Sequence, residues 1–213
     1  MLAGKRAERT RRSMLDAGID LLVDRPIDAI PIDDLIAKAG VAKGSFFNHF
    51  ADKRGFSEAV YAEIRGRLEE RIGAANRDVE DPLMRLSGGM RIAVEFALDE
   101  RESSIAMLRS AGAPTSESHP LNVGAYADLR ACIDANLVDE QSGKIGLLYW
   151  LGLCQAIITD VIQRKLSQQK ASEQLQQMLL LGLTGLGVKT ELVYDTAALQ
   201  AKFLNNAQLK NVP

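Results

Sequence analysis

Apolar residues recur every three or four positions along almost the whole chain and never alternate for long, a pattern that predicts helices and no persistent strand. Met14, Leu15, Gly18, Leu21 and Leu22 share one face of a helix from about residue 10 to 23, which Pro26 closes. Ile32, Leu35, Ile36 and Ala39 mark a two-turn amphipathic helix that Gly40 ends, and Phe46 and Phe50, four residues apart, give the next short helix an apolar side. After Asp52, a good N-cap, Phe56, Val60, Ile64, Leu68 and Ile72 advance by four over residues 53–75, a segment long enough to leave a small N-terminal domain. Longer, more apolar helices are expected at about 82–98, 103–111, 121–137, 143–166 and 172–187, with a short one at 196–209. Asp81-Pro82 is a clear helix start, and residues 112–120, rich in Pro, Ser and Gly, form the longest expected loop. The expected architecture is all-α: a three-helix domain over residues 1–52 and a larger helical domain over 53–213, with 53–75 as the connector helix.

Composition agrees and narrows the options. The chain has 213 residues, 46% of them apolar and 25% charged, enough to bury a real core in one or two domains. The two cysteines, Cys132 and Cys154, have no paired spacing, so neither a disulfide framework nor a zinc site is expected, and no cofactor is implied. The unpaired cysteines suit a reducing cytoplasm, which is the expected compartment, and residues 1–12 lack the apolar stretch of a signal peptide, so no export is implied. Residues 145–162 are apolar almost all round, but Gln155, Thr159 and Asp160 interrupt them, and a bilayer span needs about 20 apolar residues. A helix buried on every side, against its own subunit and a partner, is expected instead. An enzyme is disfavoured: the two histidines, His49 and His119, lie far apart, and no glycine-rich phosphate loop, HExxH or GxSxG occurs.

The chemistry that remains points to DNA. Gly40 can adopt the left-handed conformation that a tight turn between crossing helices requires, as in a helix-turn-helix. On the following helix Lys43, Ser45, Asn48 and His49 point outward while Phe46 and Phe50 turn in. Lys43 suits phosphate, Asn48 a base edge and Ser45 either. Gly44 has no side chain to hold the helix off the groove floor, and Phe47 can touch a thymine methyl. Lys53, in the first turn of the connector, is placed for phosphate. Residues 1–56 hold ten Lys/Arg against eight Asp/Glu, whereas the whole chain carries −2. Lys5, Arg6, Arg9, Arg11 and Arg12 against Glu8 form a basic arm able to lie along phosphates, with a solvated tail as the alternative.

The run AGVAKGSFFNHFADKRGF, residues 39–56, resembles the recognition segment of the tetracycline-repressor (TetR) family of bacterial transcription regulators. The likeness reaches back to residues 14–17 and covers about a quarter of the chain. Ala42 stands where the family usually has Ser, Pro31 where it has Thr and Phe47 where it has Tyr. Each change removes a hydroxyl, and a lost helix cap alone costs about 1 kcal/mol. Backbone amides must then carry more of the phosphate grip.

The resemblance implies a dimeric repressor on a palindromic operator, released by a small-molecule inducer. It makes residues 143–187 the paired dimerisation helices of a homodimer, with Gly182 and Gly185 allowing close helix approach. It also implies an inducer cavity in the larger domain, for which Phe96, Met107, Tyr126, Trp150 and Cys154 are the candidates, suiting a mainly apolar ligand of unknown identity. A DNA-binding adaptor or structural protein without an inducer stays open.

Overall fold

The computed structural model describes residues 2–110 and 114–206, with side chains from Lys5 onward. The last residue of the expected helix 103–111, residues 112–113 of the expected loop and the end of the expected terminal helix beyond Asn206 lie outside the described residues. Among the described residues there are ten α-helices and no strand: α1 (Leu2–Asp24), α2 (Ile32–Ala39), α3 (Lys43–His49), α4 (Lys53–Asn76), α5 (Pro82–Asp99), α6 (Arg101–Arg109), α7 (Val123–Asp134), α8 (Gly146–Gln163), α9 (Gln168–Gly185) and α10 (Thr190–Asn206). The connector is one continuous helix, α4, as its four-residue apolar step requires.

By packing, the chain forms two compact units. The first comprises Met1–Arg67 and Glu100–Ala113, and so takes in α1 to α3, most of α4 and all of α6. Its core is Met14, Leu15, Leu22, Leu35, Phe46, Phe56, Val60 and Ile64, each nearly or fully buried. Three phenylalanines tie α3 to α4, with ring centroids 5.5 Å apart for Phe46 and Phe50, 5.6 Å for Phe46 and Phe56, and 5.0 Å for Phe50 and Phe56. α1 crosses α4 closely because Gly18 faces the Phe56 ring: a Cβ there would stand 2.9 Å from Phe56 Cε1 and 3.2 Å from Val60 Cγ2. α1 also begins eight residues earlier than the apolar pattern suggested, so the basic arm is its first turns, with Lys5, Arg6, Arg9 and Arg12 exposed.

Polar ties hold α6 in this unit. Arg67 of α4 pairs with Glu100 at 3.0 Å and donates to Ser103 Oγ at 3.1 Å, at the start of α6. At its end, Arg109 donates to the carbonyls of Leu22 (3.0 Å) and Val23, the last turn of α1. A guanidinium at a helix C-terminus satisfies carbonyls that have no partner within the helix.

The second unit, Leu68–Asp99 and Pro114–Pro213, is built around α5, which is buried from Leu83 to Ala97 along most of its length. α7, α8, α9 and α10 pack about it. Charged groups are paired where they enter: Arg85 meets Asp128 at 2.6 Å, Arg91 pairs with Glu95, and Arg71 meets Asp99 at 2.5 Å. Gln200 of α10, almost wholly buried, donates to Met84 O (3.2 Å) and Ser87 Oγ (3.0 Å) and accepts from Arg91 Nε (2.8 Å). Those bonds dock α10 on α5 and satisfy an amide that would otherwise be costly to bury.

Candidate nucleic-acid interface

Gly40 sits at φ 64°, ψ 34°, the left-handed region, and its amide donates back to the carbonyls of Ile36 and Ala37. Val41 N–H adds a bond to Ile36 O at 3.2 Å, so these two amides close the C-terminus of α2 and α3 follows at once. Neither helix has a side-chain cap at its start: Pro31 precedes α2 and Ala42 precedes α3, and neither offers an acceptor. The hydroxyls missing from the sequence are therefore missing as caps, which leaves first-turn amides without a side-chain acceptor.

Phe46 is fully buried and fixes α3 against α4, so the opposite side of α3 is presented outward. Lys43, Gly44, Phe47 and Asn48 are exposed, Ser45 and His49 half-buried. An added Cβ on Gly44 would meet nothing within 4 Å. Phe47 keeps 51% of its surface exposed while its ring stands edge-on to Phe46 at 5.4 Å. A half-exposed aromatic beside an amide, a hydroxyl and an ammonium is a surface suited to base edges and phosphates.

Two lysines are engaged in ways no sequence spacing revealed. Lys43 Nζ pairs with Asp33 Oδ1 of α2 at 2.9 Å; both side chains are well exposed, so the pair is weak and a phosphate can displace the carboxylate. Lys53, half-buried, donates from Nζ to the carbonyls of Asp28 and Ile30, each at 3.0 Å. Arg11 of α1 lies over the Phe50 ring, 5.7 Å from its centroid, which brings one cation of the basic arm to the end of α3.

The five inducer candidates fall in different places. Phe96, Tyr126, Trp150 and Cys154 belong to the second unit, and Met107, on α6, to the first. Phe96, Met107 and Trp150 are buried, Tyr126 and Cys154 half-buried. The Trp150 ring packs on Gly182, where a Cβ would stand 3.3 Å from Cζ3 and 2.9 Å from Leu153 Cδ1. Gly182, and likewise Gly185 against Tyr149, thus serve the approach of α9 to α8 within one chain. Among the described residues no group of three or more His, Cys, Asp or Glu is placed to hold a metal.

α8 is long and apolar enough by length and composition to cross a membrane, yet only 39% buried. Ile145, just before it, is 69% exposed, Leu148 54% and Leu181 of α9 70%. Leu148 and Leu181 thus leave apolar side chains exposed on α8 and α9.

Residues 14–60 match the model of the bacterial regulatory proteins, tetR family. The uncharacterized HTH-type transcriptional regulator YwcC of Bacillus subtilis is 41% identical over 65 residues, which is 30% of this chain and 28% of that protein. The HTH-type transcriptional repressor BepR of Brucella suis is 30% identical over 101 residues, 46% of this chain and 48% of that protein. The matched stretches thus span less than half the length of these relatives. Across the fold, the crystal structure of RolR in complex with resorcinol superimposes with a TM-score of 0.64 at 17% identity, covering 92% of this chain and 96% of that one. With that segment folded as α1 to α4 and Gly40 closing the turn ahead of α3, residues 14–60 are a segment of the tetR type of bacterial regulatory proteins.

Proposed function

We propose that the protein is a sequence-specific, DNA-binding transcription regulator of the cytoplasm that acts as a homodimer, repressing from a palindromic operator until a small, mainly apolar inducer releases it. The observation that carries this is the α2–α3 pair, joined through left-handed Gly40 and presenting Lys43, Gly44, Ser45, Phe47, Asn48 and His49 on one outward surface. Lys43 and the first-turn amides take phosphates, while Asn48 and Phe47 read base edges. One such helix contacts too few base pairs for a unique site, so two copies on successive turns of the duplex supply the specificity.

The exposed face of Ile145, Leu148 and Leu181 supports pairing of copies through residues 143–187. RolR, alike in fold, was solved with resorcinol, and BepR is a named repressor; both facts support the ligand-responsive repressor reading without identifying this chain's ligand. In the second unit Phe96, Tyr126, Trp150 and Cys154 are the side chains we assign to the inducer. Two reading heads fit successive major grooves only about 34–36 Å apart, so a ligand that favours another spacing releases the operator, and DNA must weaken ligand binding by the same factor. An adaptor without an inducer is the reading that the close packing of Trp150 on Gly182 favours. A thermal-shift screen of small, mainly apolar aromatic compounds separates the two, because a ligand bound only by the folded state raises Tm.

The primary test is selection of duplexes from a random library by the purified protein. A two-fold symmetric consensus with half-sites about 10–10.5 base pairs apart, or a multiple of that, is expected. No enrichment over the starting library would overturn the proposal.

A further inference from the structure

The side chain of Lys53, at the first position of α4, folds back onto its own domain. Its ammonium donates to Asp28 O and Ile30 O at 3.0 Å each. These carbonyls lie at the end of a short 3-10 turn, Ile27–Ala29, and lead directly into Pro31 and α2. The amides of the turn are already used inside it, Ala29 N–H on Pro26 O at 2.9 Å and Ile30 N–H on Ile27 O at 3.1 Å. A cation at the carbonyl end of a helical turn is electrostatically favoured there. Two of the three ammonium protons are committed to this contact.

The rest of the first turn of α4 is anchored elsewhere. Asp52 caps it through Gly55 N–H at 2.7 Å, and Phe56 seats it on α3, through Phe46 and Phe50, and on α1 at Gly18. Lys53 hydrogen-bonds α4 to the segment entering α2.

We propose that Lys53 is a positioning residue whose ammonium latches the connector helix to the 3-10 turn ahead of α2, so that α2 and α3 follow α4 as one body. The consequence for operator binding rests on the regulator reading above, whereas the latch itself is a property of the DNA-free chain. A phosphate ligand acts only when DNA is present and shows in the salt dependence of binding; a latch acts in the free protein and sets the direction in which α2 starts.

Amide hydrogen exchange on the full chain without DNA distinguishes them. Lys53→Met keeps the stem and removes every donor, Lys53→Arg restores donors at similar reach, and Lys53→Gln keeps a neutral NH2 donor group on a shorter stem. In Lys53→Met the amides of Ala29, Ile30 and Asp34 are expected to exchange about tenfold faster, the factor that accompanies loss of one ordinary hydrogen bond. Lys53→Arg should return them to within about threefold of wild type, with Lys53→Gln between, and it keeps the test informative if the Met variant does not fold. Unchanged exchange in Lys53→Met, or acceleration that Arg does not reverse, overturns the latch. Operator binding by the same variants reports separately: under the latch, affinity falls in Lys53→Met while the slope against log salt stays at the wild-type value. A slope reduced by about one with unchanged exchange makes Lys53 a phosphate ligand instead. Should the wild type bind no duplex, the regulator reading fails while the exchange result still decides the latch.

Discussion

Replacing Gly18 and Gly66 by alanine applies the same chemical change to two helix interiors with opposite surroundings. Gly66, on α4, has open space around it, since an added Cβ meets nothing within 4 Å. At Gly18 the Cβ would stand 2.9 Å from Phe56 Cε1, against an ordinary carbon contact of about 3.5–4.0 Å, so the ring must retreat by at least ~0.6 Å. Phe56 is wholly buried and packed against Phe46 and Phe50, so it has nowhere to go without moving α3. Both substitutions gain the helix propensity of alanine over glycine, about 0.5–1 kcal/mol, and that term cancels in the comparison. What remains is overpacking at Gly18, roughly 1–3 kcal/mol. For a chain of this size each 1 kcal/mol moves Tm by about 2–4 °C, so Gly18→Ala should melt some 2–12 °C below Gly66→Ala by circular dichroism or calorimetry. Gly66→Ala itself should melt at or slightly above wild type. Equal melting temperatures for the two variants would refute the close α1–α4 crossing. Binding to the selected operator should weaken in Gly18→Ala only, because the displaced ring carries α3 with it.

Other substitutions and one chemical treatment report on separate parts of the molecule. Asn48→Ala should cost about 1–3 kcal/mol on the selected operator and little on random duplex, whereas Lys43→Ala should weaken both and reduce the salt slope by about one; equal losses on both duplexes would move Asn48 to the backbone. Leu148→Glu with Leu181→Glu should shift the protein toward monomer in light scattering with Tm close to wild type, since both side chains are exposed in the single chain; an unchanged dimer places the interface elsewhere. Burial pushes the Cys132 thiol up to about 12, helped by the nearby carboxylates of Asp128 and Asp81. Native protein at pH 8 should therefore alkylate at half-buried Cys154 and spare Cys132. Because the folded thiol titrates above the unfolded one, its contribution to stability is complete below pH 9 and is lost as pH climbs from 9 toward 12; alkylation of Cys132 at pH 8 as fast as in urea would contradict this.

Local periodicity was enough to place nearly every helix within a few residues, because a 3.6-residue repeat of apolar side chains has a single solution once the chain is too long and too regular for strands. The turn at Gly40 was legible for the same local reason: a helix closing on a left-handed residue before another helix starts needs glycine, and φ 64° is the conformation found. The missing caps at Pro31 and Ala42 and the inward Phe46 and Phe50 were likewise consequences of residue type and spacing alone.

Partner choice was not legible, since long polar side chains bond to whatever the fold brings within reach. Lys53 finds carbonyls 23 and 25 residues back, Lys43 finds Asp33 across the turn, and Arg109 finds the end of α1, 86 and 87 residues away. The period of residues 101–109 is that of any amphipathic helix and carries nothing about which body it joins; the ties from Arg67 and Arg109 decide that it packs with the first unit. Gly182 shows the same limit from the apolar side. A glycine on an apolar stripe announces close approach, but only the folded chain determines that the approaching surface is Trp150 and Leu153 of its own α8, leaving Leu148 and Leu181 uncovered. Sequence period sets which residues share a face, through bonds and torsions a few residues apart, whereas the neighbour each face meets is set by packing the whole chain at once.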